Sequence, residues 1–353
     1  MKSIAIFIPS LLPGGAEKQA TILATILDKK HKVEIYLLHG ESSIAPQNQE
    51  LLTNSNVSIT RLQGNIFSKI YKFRKLLKEK NTDILLNYLT SCNVIGAIIG
   101  RLAGVKLIYG GIRNARIETS KMIIDKIAHN FISTGTIYNC YSGAEYFTSK
   151  GFNEKKNIVI PNGFPNIAEP IVRDDREVKH IVTTGRFVPQ KDYHTMIQVI
   201  AKLKESRTDF VMDIIGYGVE EENIRSWIAQ YGVEDITNIF IKPDNVQEIV
   251  RNADIYLSTS IFEGTSNSIM EALNWSLPVV ATDVGDNKHL VEDGRNGNIH
   301  SFGDAEGMAN SLLKLLDSVE LRNNFGAYSH KLLKNNFSLD VFEERYTKVV
   351  SQQ

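Results

Sequence analysis

Short apolar runs alternate with helical stretches along this chain, stop, and then begin again, and that pattern constrains the fold more than any other feature. Runs of four to six residues rich in Ile, Val, Leu and Tyr fall at 4–8, 33–38, 83–88, 106–109, 135–140 and 157–160. Turn residues bound each run, as expected of buried strands. Helical patterns lie between them, at about 16–29, 66–80, 92–103, 119–131 and 142–150. Alternation of this kind builds right-handed β-α-β units around a parallel sheet.

The alternation stops at Pro161-Asn162-Gly163-Phe164-Pro165, a cluster of chain breakers. Residues 166–178 are charged and poor in apolar pattern, and read as an interdomain linker. Strand patterns then return at 179–184, 210–215, 237–241, 254–258, 278–281 and 297–299. Helical patterns return at 192–206, 219–231, 245–252, 266–275, 286–292 and 304–317. The expected architecture is α/β, with two doubly wound domains in tandem. The first covers 1–165 and the second 166–337, and a last helix at about 338–353 folds back onto the first. A length of 353 residues suits two domains at roughly 150 residues each. In such sheets, ligands bind outside the carboxyl ends of the strands, here in a cleft between two domains. Polar and glycine-rich loops that directly follow strands are therefore the places to look for chemistry.

Hydrophobic residues make up 42% and charged residues 23% of the chain, which excludes a disordered, collagenous or disulfide-stapled protein. Net charge is zero but uneven. Residues 1–165 hold 21 Lys and Arg against 11 Asp and Glu, and residues 166–353 hold 19 against 29. The asymmetry points the first half towards an anionic partner, with chance as the plain alternative. Cys92 and Cys140 sit in apolar surroundings without a C-x-x-C motif and read as buried thiols in a reducing compartment. The apolar N-terminal run lacks a signal cleavage site and is too short to span a bilayer. A cytoplasmic protein is expected.

Four loops stand where ligand chemistry belongs. Gly14 and Gly15 follow the first strand and open a helix, which allows close backbone approach and leaves free N–H groups for a phosphate. A plain tight turn explains them equally well. The dinucleotide fingerprint G-x-G-x-x-G is absent, and no acidic residue ends the second strand. Gly185, Arg186 and Lys191 follow the first strand of the second domain, and two cations beside a helix start form a pyrophosphate clamp or two surface cations. Gly216-x-Gly218 ends another strand and carries little specificity alone. The most informative stretch is Glu263-Gly264-Thr265-Ser266-Asn267-Ser268, which opens the helix that holds Glu271. Two carboxylates beside a bank of N–H donors suit a ligand that carries both hydroxyls and phosphates. Glu271 is embedded among Ile269, Met270, Ala272 and Leu273, where an unpaired carboxylate is costly.

These motifs, in this order, resemble the family-4 glycosyltransferases of the GT-B fold, which are retaining and use nucleotide sugars. The resemblance covers the whole chain. It rests on Gly14-Gly15-Ala16-Glu17, Ile160-Pro-Asn-Gly163, Gly185-Arg186 with Lys191, Gly216-x-Gly218, and Glu263-x7-Glu271 followed by Pro278-Val-Val-Ala-Thr282. It is nearest to bacterial enzymes of surface polysaccharide, lipopolysaccharide or capsule synthesis.

The resemblance implies two Rossmann-like domains, with the acceptor on the first and the nucleotide sugar, UDP rather than GDP, on the second. Gly14 and Gly15 approach the diphosphate and sugar, and Arg186 and Lys191 hold the diphosphate. Glu271 binds the ribose hydroxyls. Glu263 lies against the transferred sugar, and the backbone of Gly264, Thr265, Ser266 and Asn267 reaches sugar and phosphate. Same-face attack, with cations stabilising the leaving group, is the implied route. No metal or other cofactor is expected, since the sequence lacks D-x-D. Many relatives carry Pro where Ser266 stands, Gly where Asp286 stands, and a His after the fourth strand. Here that loop holds Arg113 and Asn114, expected as donor or acceptor contacts.

Residues 69–80 carry six cations and one acid, interleaved with Ile70, Tyr71, Phe73, Leu76 and Leu77. Helix 66–80 thus reads as a peripheral membrane contact suited to a lipid-linked saccharide acceptor, or as an ordinary packed helix with a solvated basic face. No nucleic-acid motif is present. A nucleotide-sugar epimerase and a non-catalytic sugar-nucleotide-binding protein are the competing readings.

Overall fold

The computed structural model describes residues 1–113 and 118–352. The chain divides into two compact units, Met1–Gly163 with Leu339–Gln353, and Phe164–Ser338.

The first unit runs β1 (Ser3–Ile8), α1 (Gly15–Asp28), β2 (Lys32–Leu37), α2 (Pro46–Leu52), β3 (Ser58–Arg61), α3 (Ile66–Glu79) and β4 (Ile84–Asn87). It continues through α4 (Thr90–Ala103), β5 (Leu107–Ile112), α5 (Thr119–Ile127), β6 (Gly135–Tyr138), α6 (Tyr141–Ser149) and β7 (Asn157–Val159). The seven strands form one parallel sheet in the order β3-β2-β1-β4-β5-β6-β7. Both faces are covered, which is why β1 reads as an unbroken apolar run rather than an alternating one. Ile4, Ile6 and Ile8 pack on α1, and Ala5 and Phe7 pack on α3 and α4. Phe73 of α3 lies 4.3 Å, ring to ring, from Phe7, and its truncation to Ala is worth about 3–5 kcal/mol.

The second unit runs β8 (Lys179–Arg186), α7 (Tyr193–Lys204), β9 (Phe210–Tyr217), α8 (Glu221–Tyr231), β10 (Thr237–Ile241), α9 (Val246–Asn252) and β11 (Ile255–Ser258). It continues through α10 (Asn267–Asn274), β12 (Val279–Thr282), α11 (Asn287–Leu290), β13 (Gly297–His300), α12 (Ala305–Asp317) and α13 (Val319–Phe337). Its six strands are parallel in the order β10-β9-β8-β11-β12-β13. The chain then returns to the first unit as α14 (Leu339–Val350), where Phe342 and Tyr346 join the β1–α1 core. Gln19 fixes the exit point by bonding both the carbonyl and the N–H of Gly163, at 3.0 and 3.2 Å.

Several elements differ from the sequence expectation. The fourth expected strand, 106–109, continues through Gly110 and Gly111 to Ile112, so these glycines are strand and not loop. The cause is Asn93 of α4, whose amide accepts from Gly111 N at 2.8 Å and donates to its carbonyl at 3.2 Å. The 119–131 helix changes at residue 128 into a π-helical turn, Ala128–Ile132. Segment 166–178 is no loose linker. Arg173 is buried, and its guanidinium donates to the carbonyls of Ala253, Ser276, Arg251 and Trp275 at 2.6–3.0 Å, strapping the segment to the second unit. Strand β3 and helices α2 and α13 were not expected at all.

Candidate active site

Adjacent strands of the second unit deliver the expected residues to one edge of the sheet. Strand β8 ends on Gly185 and Arg186, which pair with Gly216 and Tyr217 at the end of β9. A Cβ on Gly216 would overlap the Gly185 carbonyl and press on the Phe187 ring, so only glycine permits this approach. Arg186 points to solvent and has no ion-pair partner among the described residues. The chain then makes a 3-10 turn, Pro189–Lys191, and Asp192 caps α7 by accepting from Thr195 N at 3.2 Å.

Because β11 lies next to β8, the loop after β11 meets this turn. Thr259 Oγ1 donates towards the carbonyls of Lys191 and Asp192, at 3.1 and 2.9 Å. Ile261 N donates to the Gln190 carbonyl at 2.8 Å, and Gln190 Nε2 donates to the Phe262 carbonyl at 2.8 Å. These bonds set Lys191 Nζ 2.6 Å from Glu263 Oε1, with both side chains mostly shielded from solvent. A charge-assisted pair in such surroundings holds its geometry better than an exposed one. The Lys191 stem also runs along Gly185, with its Cε 3.2 Å from where a Cβ would stand.

The stretch from Gly264 to Asn267 leads into α10. Ser266 is buried and its hydroxyl caps the helix at Ile269 N, 3.4 Å, while also lying 3.1 Å from Ser268 Oγ. The cap therefore occupies the position where a proline is common among the resembled enzymes. Glu271 projects from the second turn of α10 and is partly exposed. Thr265 Oγ1 donates to Asp286 Oδ2 at 3.2 Å, and Asp286 N donates to the Gly264 carbonyl at 3.2 Å. Gly285, at φ +56°, sits so close to the Glu263 carbonyl that any side chain would collide with it. Thr259 and Gln190 were not singled out, and Asp286 was noted only as a departure from the resembled enzymes. They shape the Glu263 loop through contacts between segments distant in sequence, which residue spacing does not reveal.

In the first unit, Gly14 stands just before α1 and Gly15 begins it. Arg113 ends β5. Its Nη2 donates to the Tyr346 hydroxyl at 2.8 Å, and its guanidinium carbon lies 4.4 Å from the centre of the Tyr88 ring. Its Nε and Nη1 are buried without a hydrogen-bond partner among the described residues. Burial pushes the Tyr88 phenol well above its ordinary pKa. Asn114 lies outside the described residues. Cys92 and Cys140 are buried and form no disulfide. Among the described residues, no helix is long and apolar enough to cross a membrane.

Residues 168–332, nearly all of the second unit, match the family model Glycosyl transferases group 1. The chain is 26% identical over 352 residues to a Campylobacter jejuni 4-alpha-N-acetylgalactosaminyltransferase that acts on a diphospho-undecaprenol-linked saccharide, with 94% of each chain covered. It is 25% identical to the lipopolysaccharide core biosynthesis glycosyltransferase LpsE of Rhizobium meliloti, over 49% of this chain and 50% of that one. In fold it is similar to Anabaena HepE, solved in complex with UDP, at a TM-score of 0.82 and 18% identity, with 99% of each chain covered. A group 1 domain in the second unit, a glycosyltransferase relative aligned along nearly the whole chain and a full-length structural neighbour mark this chain as a glycosyltransferase with the GT-B fold.

Proposed function

We propose that the chain moves a hexosyl or N-acetylhexosaminyl group from a UDP-sugar to a lipid-linked saccharide, with retention of configuration, during assembly of a bacterial surface polysaccharide. The observation that carries this reading is the Lys191–Glu263 pair at the carboxyl edge of the second sheet, where β8 ends on Arg186 and the Glu263 loop leads into α10. A cationic side chain already desolvated against a carboxylate can turn to a diphosphate at little reorganisation cost. The C. jejuni relative acts on an undecaprenol-linked saccharide and HepE binds UDP, which supports both the donor and the acceptor class.

In this reading Arg186 and Lys191 hold the diphosphate, and α10 adds backbone N–H donors. Glu271 takes the ribose hydroxyls. Glu263 orients the sugar and, in the free enzyme, Lys191. The bond between the anomeric carbon and the β-phosphate oxygen breaks while the acceptor hydroxyl oxygen bonds to the same face of that carbon. The hydroxyl proton passes to the departing phosphate oxygen. Protein cations balance the leaving charge, and transfer proceeds without a metal, so chelation leaves the rate unchanged. Helix α3, with Phe67 80% and Tyr71 70% exposed beside Lys72, Arg74 and Lys75, bears on the membrane that carries the acceptor.

The test is turnover by the purified chain with a panel of UDP- and GDP-sugars, with and without an undecaprenyl-diphosphate saccharide, and NMR of the product anomer. UDP release that requires acceptor and a product with the donor's configuration is the expected result. An epimerised donor without acceptor, or an inverted product, contradicts it.

A further inference from the structure

Away from the candidate site, the outer surface of the first unit is apolar where a solvent-facing layer is normally polar. Helix α4 buries Cys92, Ala97 and Ile99 against the sheet, yet its opposite stripe carries Ile98 and Leu102, 43% and 56% exposed. The neighbouring α5 does the same with Ile123, Ile124 and Ile127, each about half exposed at 50%, 49% and 51%. At the end of this row Phe131 is 81% exposed.

Phe131 is not at a frayed end. It sits in the π-helical turn, a rare conformation found often at functional sites. That turn is held from four directions. His129 is buried, its Nδ1 lies 2.8 Å from Thr136 Oγ1 and its Nε2 donates to the Asn153 carbonyl at 3.0 Å. Lys156 Nζ donates to the carbonyls of His129, Asn130 and Ser133, at 3.1, 2.9 and 3.0 Å. Asn130 Nδ2 donates to the Gly151 carbonyl at 3.0 Å. Arg101 Nη2 donates to the Ile132 carbonyl at 2.6 Å. So many bonds spent on displaying a phenylalanine to water imply that it meets something other than water.

Cations rim the apolar row. Arg101 lies on α4, Arg74 of α3 reaches the row through a 3.3 Å bond from Nε to the Leu102 carbonyl, and Lys121 of α5 is paired with Glu118 at 2.9 Å, which leaves the rim net positive. Apolar centre and cationic rim together match an anionic bilayer, with its headgroup charge above and its acyl chains below. We propose that the α4–α5 face, with Phe131 as its deepest anchor, inserts into anionic membrane. It is a second contact beyond α3, with more exposed aliphatic side chains and fewer cations than α3 presents. The inference rests on the proposal that the acceptor is lipid-borne.

The test uses the full chain and vesicles of phosphatidylglycerol and phosphatidylethanolamine. Phe131→Trp supplies a fluorescent probe. Its emission shifts to the blue on adding vesicles and is quenched by brominated acyl chains. The triple variant Ile124→Ser, Ile127→Ser, Phe131→Ser loses vesicle flotation at least about tenfold, including at high salt, where charge alone is screened. Its transfer to a short-chain, water-soluble acceptor stays at the wild-type rate, which shows that the variant is folded. An unquenched indole in the Phe131→Trp variant, undiminished flotation of a folded triple variant, or a wild-type dimer that the triple variant breaks in the absence of lipid each overturns the proposal. Failure of transfer to the soluble acceptor in the wild type would strike the glycosyltransferase chemistry instead and leave the flotation result to be read separately.

Discussion

Lys191 Nζ and Glu263 Oε1 stand 2.6 Å apart although 72 residues separate them in the chain. In the proposed reading, the carboxylate of the free protein holds the lysine where the diphosphate would bind. Lys191→Ala should therefore lower kcat/KM by about 100-fold or more, near 2.7 kcal/mol, as for loss of one preorganised leaving-group contact. Glu263→Gln should act differently. Releasing the lysine should tighten UDP binding while lowering kcat, and calorimetry beside steady-state kinetics separates the two effects. Equal weakening of UDP by both variants would show that the carboxylate serves the nucleotide directly.

Glu271 emerges from the second turn of α10, the helix that follows the Glu263 loop. A hydrogen bond from ribose to a carboxylate is worth about 1.5–3 kcal/mol. Glu271→Gln should raise the donor KM by about 10- to 100-fold with a smaller change in kcat. A 2′-deoxy donor should lose as much against the wild type and nothing further against the variant. Additive losses would remove Glu271 from the ribose.

Gly285 combines φ +56° with a backbone that leaves no room for a Cβ beside the Glu263 carbonyl. Gly285→Ala should cost about 1–3 kcal/mol of stability and displace the Glu263 loop, so that thermal melting and UDP affinity fall together. An unchanged UDP affinity in the folded variant would separate that loop from the donor.

Asp125 of α5 is 3% exposed, and neither carboxylate oxygen has a formed hydrogen bond among the described residues. Burial raises its pKa to about 6, while Thr90 and Asn93 nearby pull it down in part. A folded-state value above the unfolded one means the charged form is penalised. The penalty is full above the folded pKa and fades as pH falls from about 6 towards 4. Asp125→Asn should thus be the more stable form near pH 7, by no more than about 3 kcal/mol, and should lose that advantage by about pH 4. Denaturant melts at the two pH values check this, and an advantage independent of pH would refute it.

The α/β class was legible because strands buried on both faces cannot hide their apolar runs, as Ile4–Ile8 shows. Its irregularities were not. Gly110 and Gly111 look like a loop until Asn93 from another helix bonds into the strand. Helix α13, with Asn323-Asn324 and Asn335-Asn336 near its two ends, offers little apolar rhythm, yet it closes one side of the second core through Leu332, Leu333 and Phe337. In the site, Arg186 and Glu271 could be chosen by their place after a strand or in a helix. The bond between Lys191 and Glu263 could not, because it depends on β11 lying beside β8. Asp286 stood out only as a departure from the resembled enzymes, and its contacts to the Gly264 carbonyl and Thr265 across the loop had no local signature.

The central claim is that the second unit grips the diphosphate through Arg186 and Lys191, and calorimetric titration of UDP into the wild type and into Arg186→Ala/Lys191→Ala tests it most directly. The wild type should bind with an affinity that falls as salt rises. The double variant, melting at the wild-type temperature, should bind at least about 100-fold more weakly, the sum of two charge-assisted contacts. Undiminished UDP binding by the folded double variant would contradict the account.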